Sequence, residues 1–397
     1  MKKFIKIFVT AVFLIGLIAI VNQANLKPVN NLTDEKLNKY ASEILNKCQS
    51  ASYKPTCYET EIPNLMGQIS MEDAFKVTSI VQENDKSYTY CHVLGHKLSA
   101  KEVKKDPSKW KEVVTRCPSG VCSNGCIHGG FQEKFRSESF NDQQLRAVKP
   151  DLIDICEEKN KWKPTGLEQA SCYHALGHLT MYLTTADINK STTLCEEIGI
   201  KKDGRDFSRF CFDGAFMQIY QPLEPDDFSL IAEKEVSRGD VDFFCGKFSG
   251  KKKGSCISES WPLFREEILN NPKNLEKFCS NEEKDEQKRC FIGLFYVLTA
   301  QFNFDLPKIK DYCLKISPDL SGLCFANAAT RLIETDYRNI SKSIEICSSS
   351  QTNENQSICF EDLMKNSTYN FHAGSKEFFE LCNSLPEPWK TSCLREG

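Results

Sequence analysis

Cys290-Phe-Ile-Gly-Leu-Phe-Tyr-Val-Leu-Thr-Ala-Gln-Phe-Asn303-Phe-Asp-Leu-Pro307-Lys-Ile-Lys-Asp-Tyr-Cys313 is the helical part of one unit in a pattern that recurs along the chain. An apolar run opens at a cysteine, a turn follows around Asn303, and Asp305 before Leu306 and Pro307 suits the start of a second, shorter helix that ends at the next cysteine. The same layout returns in Cys324-Phe-Ala-Asn-Ala-Ala-Thr-Arg-Leu-Ile-Glu. Each unit therefore reads as a longer helix A that begins at a cysteine and a shorter helix B that ends at one.

The period is exposed by two interleaved series. Cys245, Cys279, Cys313, Cys347 and Cys382 advance by 34, 34, 34 and 35 residues, and Cys256, Cys290, Cys324, Cys359 and Cys393 by 34, 34, 35 and 34. Self-similarity at such a spacing is the signature of stacked repeats. The predicted fold class is all-α: a disulfide-stapled α-solenoid of helix-pair repeats of about 34 to 40 residues each, behind an N-terminal signal or membrane anchor. The design resembles tetratricopeptide solenoids in general layout, without their Trp, Gly and Tyr pattern.

A local bridge from the end of each B to the next A pairs Cys245 with Cys256, Cys279 with Cys290, Cys313 with Cys324, Cys347 with Cys359 and Cys382 with Cys393. Upstream the same order pairs Cys48 with Cys57, Cys117 with Cys126, Cys156 with Cys172 and Cys195 with Cys211, leaving Cys91 for Cys122 by elimination. Two-helix layers have little core of their own, and a bridge closing a loop of about 15 residues stabilises by about 3 kcal/mol in the chain-entropy model. Haem attachment fits badly, because Cys122-Ser-Asn-Gly-Cys126-Ile-His128 has the wrong spacing and Cys-x-x-Cys-His does not occur.

Twenty cysteines in 397 residues point to an oxidising compartment. The amino terminus agrees: Lys2, Lys3 and Lys6 precede an apolar stretch, and residues 4–21 have the form of an export signal or of a minimal span that would leave the body outside the cytoplasm. If uncleaved, 4–21 is the membrane partner; if cleaved, the body is secreted or periplasmic. The 51 basic and 54 acidic residues nearly cancel to a net −3, with no long tract of one sign, which argues against a nucleic-acid groove or a strongly acidic partner. The divisions read from the sequence are 1–25, signal or anchor; 26–85, helical cap; 86–222, a His-bearing segment; and 223–397, bridged repeats offering a surface for a protein partner.

Five of the six histidines fall in three motifs, Cys91-His92-Val93-Leu94-Gly95-His96, Cys126-Ile127-His128-Gly129-Gly130-Phe131 and Cys172-Tyr173-His174-Ala175-Leu176-Gly177-His178. His-x-x-x-His sets two imidazoles one helical turn apart on one face, where both can reach one cation. The glycine before the second histidine, Gly95 or Gly177, removes a side chain at a helix cost of about 1 kcal/mol, which implies that something packs close there. Cys211-Phe212-Asp213-Gly214-Ala215-Phe216 copies the second motif with Asp213 in the place of His128. His92 to His174 and His96 to His178 each span 82 residues and His128 to Asp213 spans 85, which describes a duplicated block.

One block thus offers His92, His96 and His128, the other His174, His178 and Asp213. Such donors take a divalent transition metal, zinc first, with iron, copper or manganese as the other candidates. Glu133 and Gln218 occupy equivalent places seven residues after Cys126 and Cys211; Glu133 is the candidate catalytic base, against the plainer reading of a solvated glutamate. His-Glu-x-x-His, Gly-x-Ser-x-Gly and phosphate-loop patterns do not occur. The histidines could instead pack as buried hydrogen-bonding residues, which would make the chain an interaction scaffold. His372 stands apart in a turn.

Overall fold

A computed structural model of the chain describes residues 32–118, 121–122, 125–135, 140–159, 162–223, 225–280 and 284–396. The described residues are all-helical, with no strand beyond the isolated bridges Lys159 to Trp162 and Ile200 to Asp206. The stretch 4–21 lies outside the described residues, and among those described no helix is long and apolar enough to cross a membrane.

All twenty cysteines are paired in ten disulfides, and the pairs are those expected from the spacing, including Cys91–Cys122 at a separation of 31 residues. Ten helices stand at the second cysteine of each bridge or, for Cys91, at the first: α1 (Lys54–Leu65), α2 (His92–Lys105), α3 (Gly125–Phe135), α4 (Gly166–Leu183), α5 (Ser208–Tyr220), α6 (Gly250–Glu259), α7 (Lys284–Gln301), α8 (Pro318–Thr335), α9 (Asn353–Lys365) and α10 (Trp389–Arg395). Each packs against the next in the row. Their starts differ from the sequence expectation. Helix α7 begins at Lys284 and α4 at Gly166, six residues before Cys290 and Cys172, so the cysteine is embedded in the second turn and not at the first residue.

Local chemistry sets these boundaries. Thr165 and Glu168 form a reciprocal cap at the start of α4, Glu168 N donating to Thr165 Oγ1 at 3.2 Å and Thr165 N to Glu168 Oε2 at 2.7 Å. Asp305 Oδ1 accepts from Lys308 N at 3.1 Å and opens the short helix Leu306–Lys315, as Pro307 predicted. The intervening Tyr173 that breaks the match between the two histidine motifs is fully buried and stacks on Phe207, ring centroids 4.5 Å apart.

Buried apolar side chains form two clusters, one from Leu37 to Ile257 and one from Trp261 to Cys393, joined through the half-buried Phe264 and Phe278. Contacts also run between segments far apart in sequence. Arg338 Nη1 donates to Ser79 O at 3.2 Å and pairs with Glu83, while Tyr369 packs against Gly166 at the start of α4. A strictly open stack, in which each layer touches only its neighbours, would lack these contacts. The C-terminal helices return onto the N-terminal half.

Candidate metal centre

Helices α2, α3, α4 and α5 lie against one another in order, and glycine sets their spacing. A Cβ on Gly95 of α2 would sit 2.9 Å from Cys126 N of α3, and one on Gly129 of α3 would run into His96 O. The second pair repeats the device: a Cβ on Gly177 of α4 would lie 2.7 Å from Ala215 N of α5, and one on Gly214 would meet His174 O. Each histidine helix is thus in backbone contact with its neighbour. This close approach is what the glycine before the second histidine implied.

The two blocks meet where α3 packs on α4, and their histidines form one group. Within α2, His96 Nε2 lies 3.1 Å from His92 Nε2; within α4, His178 Nε2 lies 3.3 Å from His174 Nε2. His128 of α3 stands between the pairs, with ring centroids 4.9 Å from His92, 5.3 Å from His96, 5.5 Å from His174 and 5.4 Å from His178. One ring nitrogen from each of His92, His96 and His128 falls within 4.8 Å of the others. Five imidazoles converge, where the duplication suggested two separate sets of three.

Asp213 takes another place. Its Oδ1 accepts from Arg209 Nε at 2.9 Å and Ser255 Oγ at 2.6 Å, and Arg209 also pairs with Glu286. A carboxylate one turn from a largely buried guanidinium is held by that charge. The carboxylate that borders the histidine cavity is Asp227, which accepts from the Tyr182 hydroxyl and from Leu223 N at 3.0 Å. Glu133 lies 3.5 Å from Lys104 Nζ in an ion pair and does not line the cavity. Its counterpart Gln218 does: Gln218 Oε1 accepts from His178 Nδ1 at 2.7 Å. An amide oxygen can only accept, so the proton sits on Nδ1 and the His178 lone pair on Nε2, aimed at the cluster.

His92 and His96 are each 8% exposed, and His128, His174 and His178 are half-buried. Burial disfavours the imidazolium and holds His92 and His128 well below the ordinary histidine range, with the neighbouring rings adding to the effect. His174 is pushed down to about 3 by burial and by His178. His178 is lowered by burial too, against the opposing pull of Gln218 and of Asp227. Neutral rings at neutral pH keep their lone pairs for a ligand role.

The cavity over the group is small, and Phe131, Leu179 and Met217 give it an apolar wall. Gln132 Nε2 donates to the Tyr182 hydroxyl at 3.2 Å, which steadies the Asp227 side. Of these residues only Gln218 had a sequence signal, its equivalence with Glu133. Tyr182, Asp227 and Gln132 come from three separate segments and become neighbours only on folding. His372 lies away from the cluster, 3.8 Å from Glu168. Comparison with family models, with curated proteins and with solved structures returns no match.

Proposed function

We propose that the chain is an extracytoplasmic helical-repeat protein that holds a divalent transition metal on its five-histidine group, as a metal-binding protein or a metalloenzyme. The observation that carries this reading is the convergence of five of the six histidines, drawn from three helices, with Nε2 to Nε2 spacings of 3.1 and 3.3 Å. Two nitrogens bound to one zinc at about 2.0–2.1 Å in a tetrahedral arrangement lie about 3.3 Å apart. His92, His96 and His128 make a three-nitrogen set for zinc, and His174 and His178, the latter oriented by Gln218, supply a further pair. A metal at such a site acts as a Lewis acid or lowers the pKa of a bound water. The cavity bordered by Tyr182 and Asp227 leaves room beside the rings for a metal-bound water.

Ten disulfides favour an oxidising compartment, and the apolar stretch 4–21 serves as the export signal or anchor. The row of cysteine-bearing helices is read as repeat units stacked in a curved solenoid, with its outer surface free for a protein partner.

The experiment is metal analysis of protein produced through an export pathway, alongside His128→Ala. A bound transition metal in the wild type, lost in the variant with an unchanged helical spectrum, is the expected result. Absence of metal from fully oxidised protein supplied with zinc, iron, copper and manganese in turn would leave the scaffold reading, in which the imidazoles only pack.

A further inference from the structure

The histidine group has a cationic neighbour from the far end of the chain. Arg331, on α8, is 8% exposed, with its guanidinium 4.1 Å from the centroid of the Tyr296 ring and Nη1 donating to the Tyr296 hydroxyl. Its Nε has no hydrogen-bond partner among the described residues. The acid that acts on it, Glu334, lies one turn along the same helix and bonds to the same Tyr296 hydroxyl. Burial pushes the Glu334 carboxyl up to about 7, so near neutral pH it supplies only part of a counter-charge. A buried guanidinium is costly unless its charge and its donors are matched.

Arg331 also meets Tyr90, whose ring stacks on His92 with centroids 5.8 Å apart and planes at 16°. Arg331 is thereby near enough to His92 for its charge to reach that ring. Tyr90 is nevertheless 43% exposed, so solvent reaches the ring that joins the arginine to the histidine. A bound metal ion would set two cationic centres on either side of one tyrosine.

We infer that Arg331, with the Tyr90 hydroxyl, forms the oxyanion-binding pole of the histidine centre, so that the ligand of this protein carries a carboxylate or phosphate group taken by the guanidinium beside the metal. The planar donor fork of arginine fits such oxygens, and its charge-assisted bonds are strongest where water is thinned out. The inference rests on the metal reading for the second pole but not for the first.

The test loads the full oxidised protein with cobalt and titrates inorganic phosphate and, separately, acetate, following the cobalt absorption bands and the heat of binding. One of the two anions is expected to bind saturably, the tighter one naming the class. Arg331→Gln should bind it at least about tenfold more weakly at the same cobalt stoichiometry and helical content, as loss of a charged hydrogen-bonding group implies. Arg331→Lys, which keeps the charge without the fork, and Tyr90→Phe should fall between. These two variants carry the test if Arg331→Gln does not fold. Equal affinity in wild type and variants, or no binding of either anion, overturns the inference. If cobalt does not load, the metal reading fails on its own, and the same titration of metal-free protein still decides the anion pole: phosphate or acetate binding lost in Arg331→Gln supports it, and no binding overturns it.

Discussion

Gln218 illustrates how one side chain sets the state of the centre. Its carbonyl oxygen holds the proton of His178 on Nδ1, leaving Nε2 as the donor atom, and loss of such an outer partner typically costs 10–100-fold in metal affinity. Gln218→Leu is therefore expected to weaken metal binding by about that factor, measured by competition with a chelator, while His372→Ala leaves affinity unchanged. His174 contributes to the pH response of the metal-free protein beside His92, His128 and His178, which burial lowers too. Its imidazole is held at about 3 in the fold against about 6.5 in the unfolded chain, so the unfolded state binds the proton first as pH falls. The contribution is fully present above about 6.5 and is lost progressively down to about 3. In chemical denaturation of metal-free protein between pH 6.5 and 5, stability should fall more steeply in the wild type than in His174→Gln. Parallel slopes would place the ring in contact with water.

At the scale of elements, the glycines separate packing from propensity. Alanine is favoured over glycine in a helix by about 1 kcal/mol, whereas forcing a methyl into a packed contact costs about 1–3 kcal/mol. At Gly177 a Cβ would lie 2.7 Å from the Ala215 backbone nitrogen and would meet Cys211 O, groups that cannot rotate away. Gly177→Ala should therefore destabilise the protein in urea unfolding and loosen metal, because it parts α4 from α5 beside His178. At Gly293 of α7 a Cβ would meet nothing described within 4 Å. Gly293→Ala should stabilise by about 0.5–1 kcal/mol in the same assay. Opposite signs at two helical glycines would show that close backbone approach, and not glycine content, shapes this part of the row.

At the scale of the molecule, the disulfides differ in what they hold. Cys313–Cys324 closes a separation of 11 residues and Cys91–Cys122 one of 31, for which the chain-entropy model gives about 3 and about 4 kcal/mol. The second bridge begins at the residue before α2 and ends just ahead of α3, tying together the helices of His92, His96 and His128. Replacing Cys91 and Cys122 together by serine should lower both stability and metal affinity, whereas the Cys313 and Cys324 pair should lower stability alone, read by denaturation and metal titration on the same samples. Equal metal affinity in both double variants would detach the bridge from the site.

Helix, turn and bridge were legible in the chain because they are short-range: Cys279 and Cys290 are 11 residues apart, Asp305 caps the helix that Pro307 opens, and His92 and His96 share a face through helical pitch alone. The close helix contacts were legible too, since Gly95 and Gly177 leave room for little else. What folding alone decided is long-range. The equivalence of Asp213 with His128 holds in the alignment of the two blocks, but Arg209 and Ser255 draw the carboxylate into a network with Glu286, a residue 73 positions further on. The merging of the two histidine pairs around His128, and the return of Arg331 and Arg338 to Tyr90 and Ser79, depend on how helices far apart in sequence pack together. That packing comes from how side chains of facing helices interlock, which no cysteine or histidine spacing records.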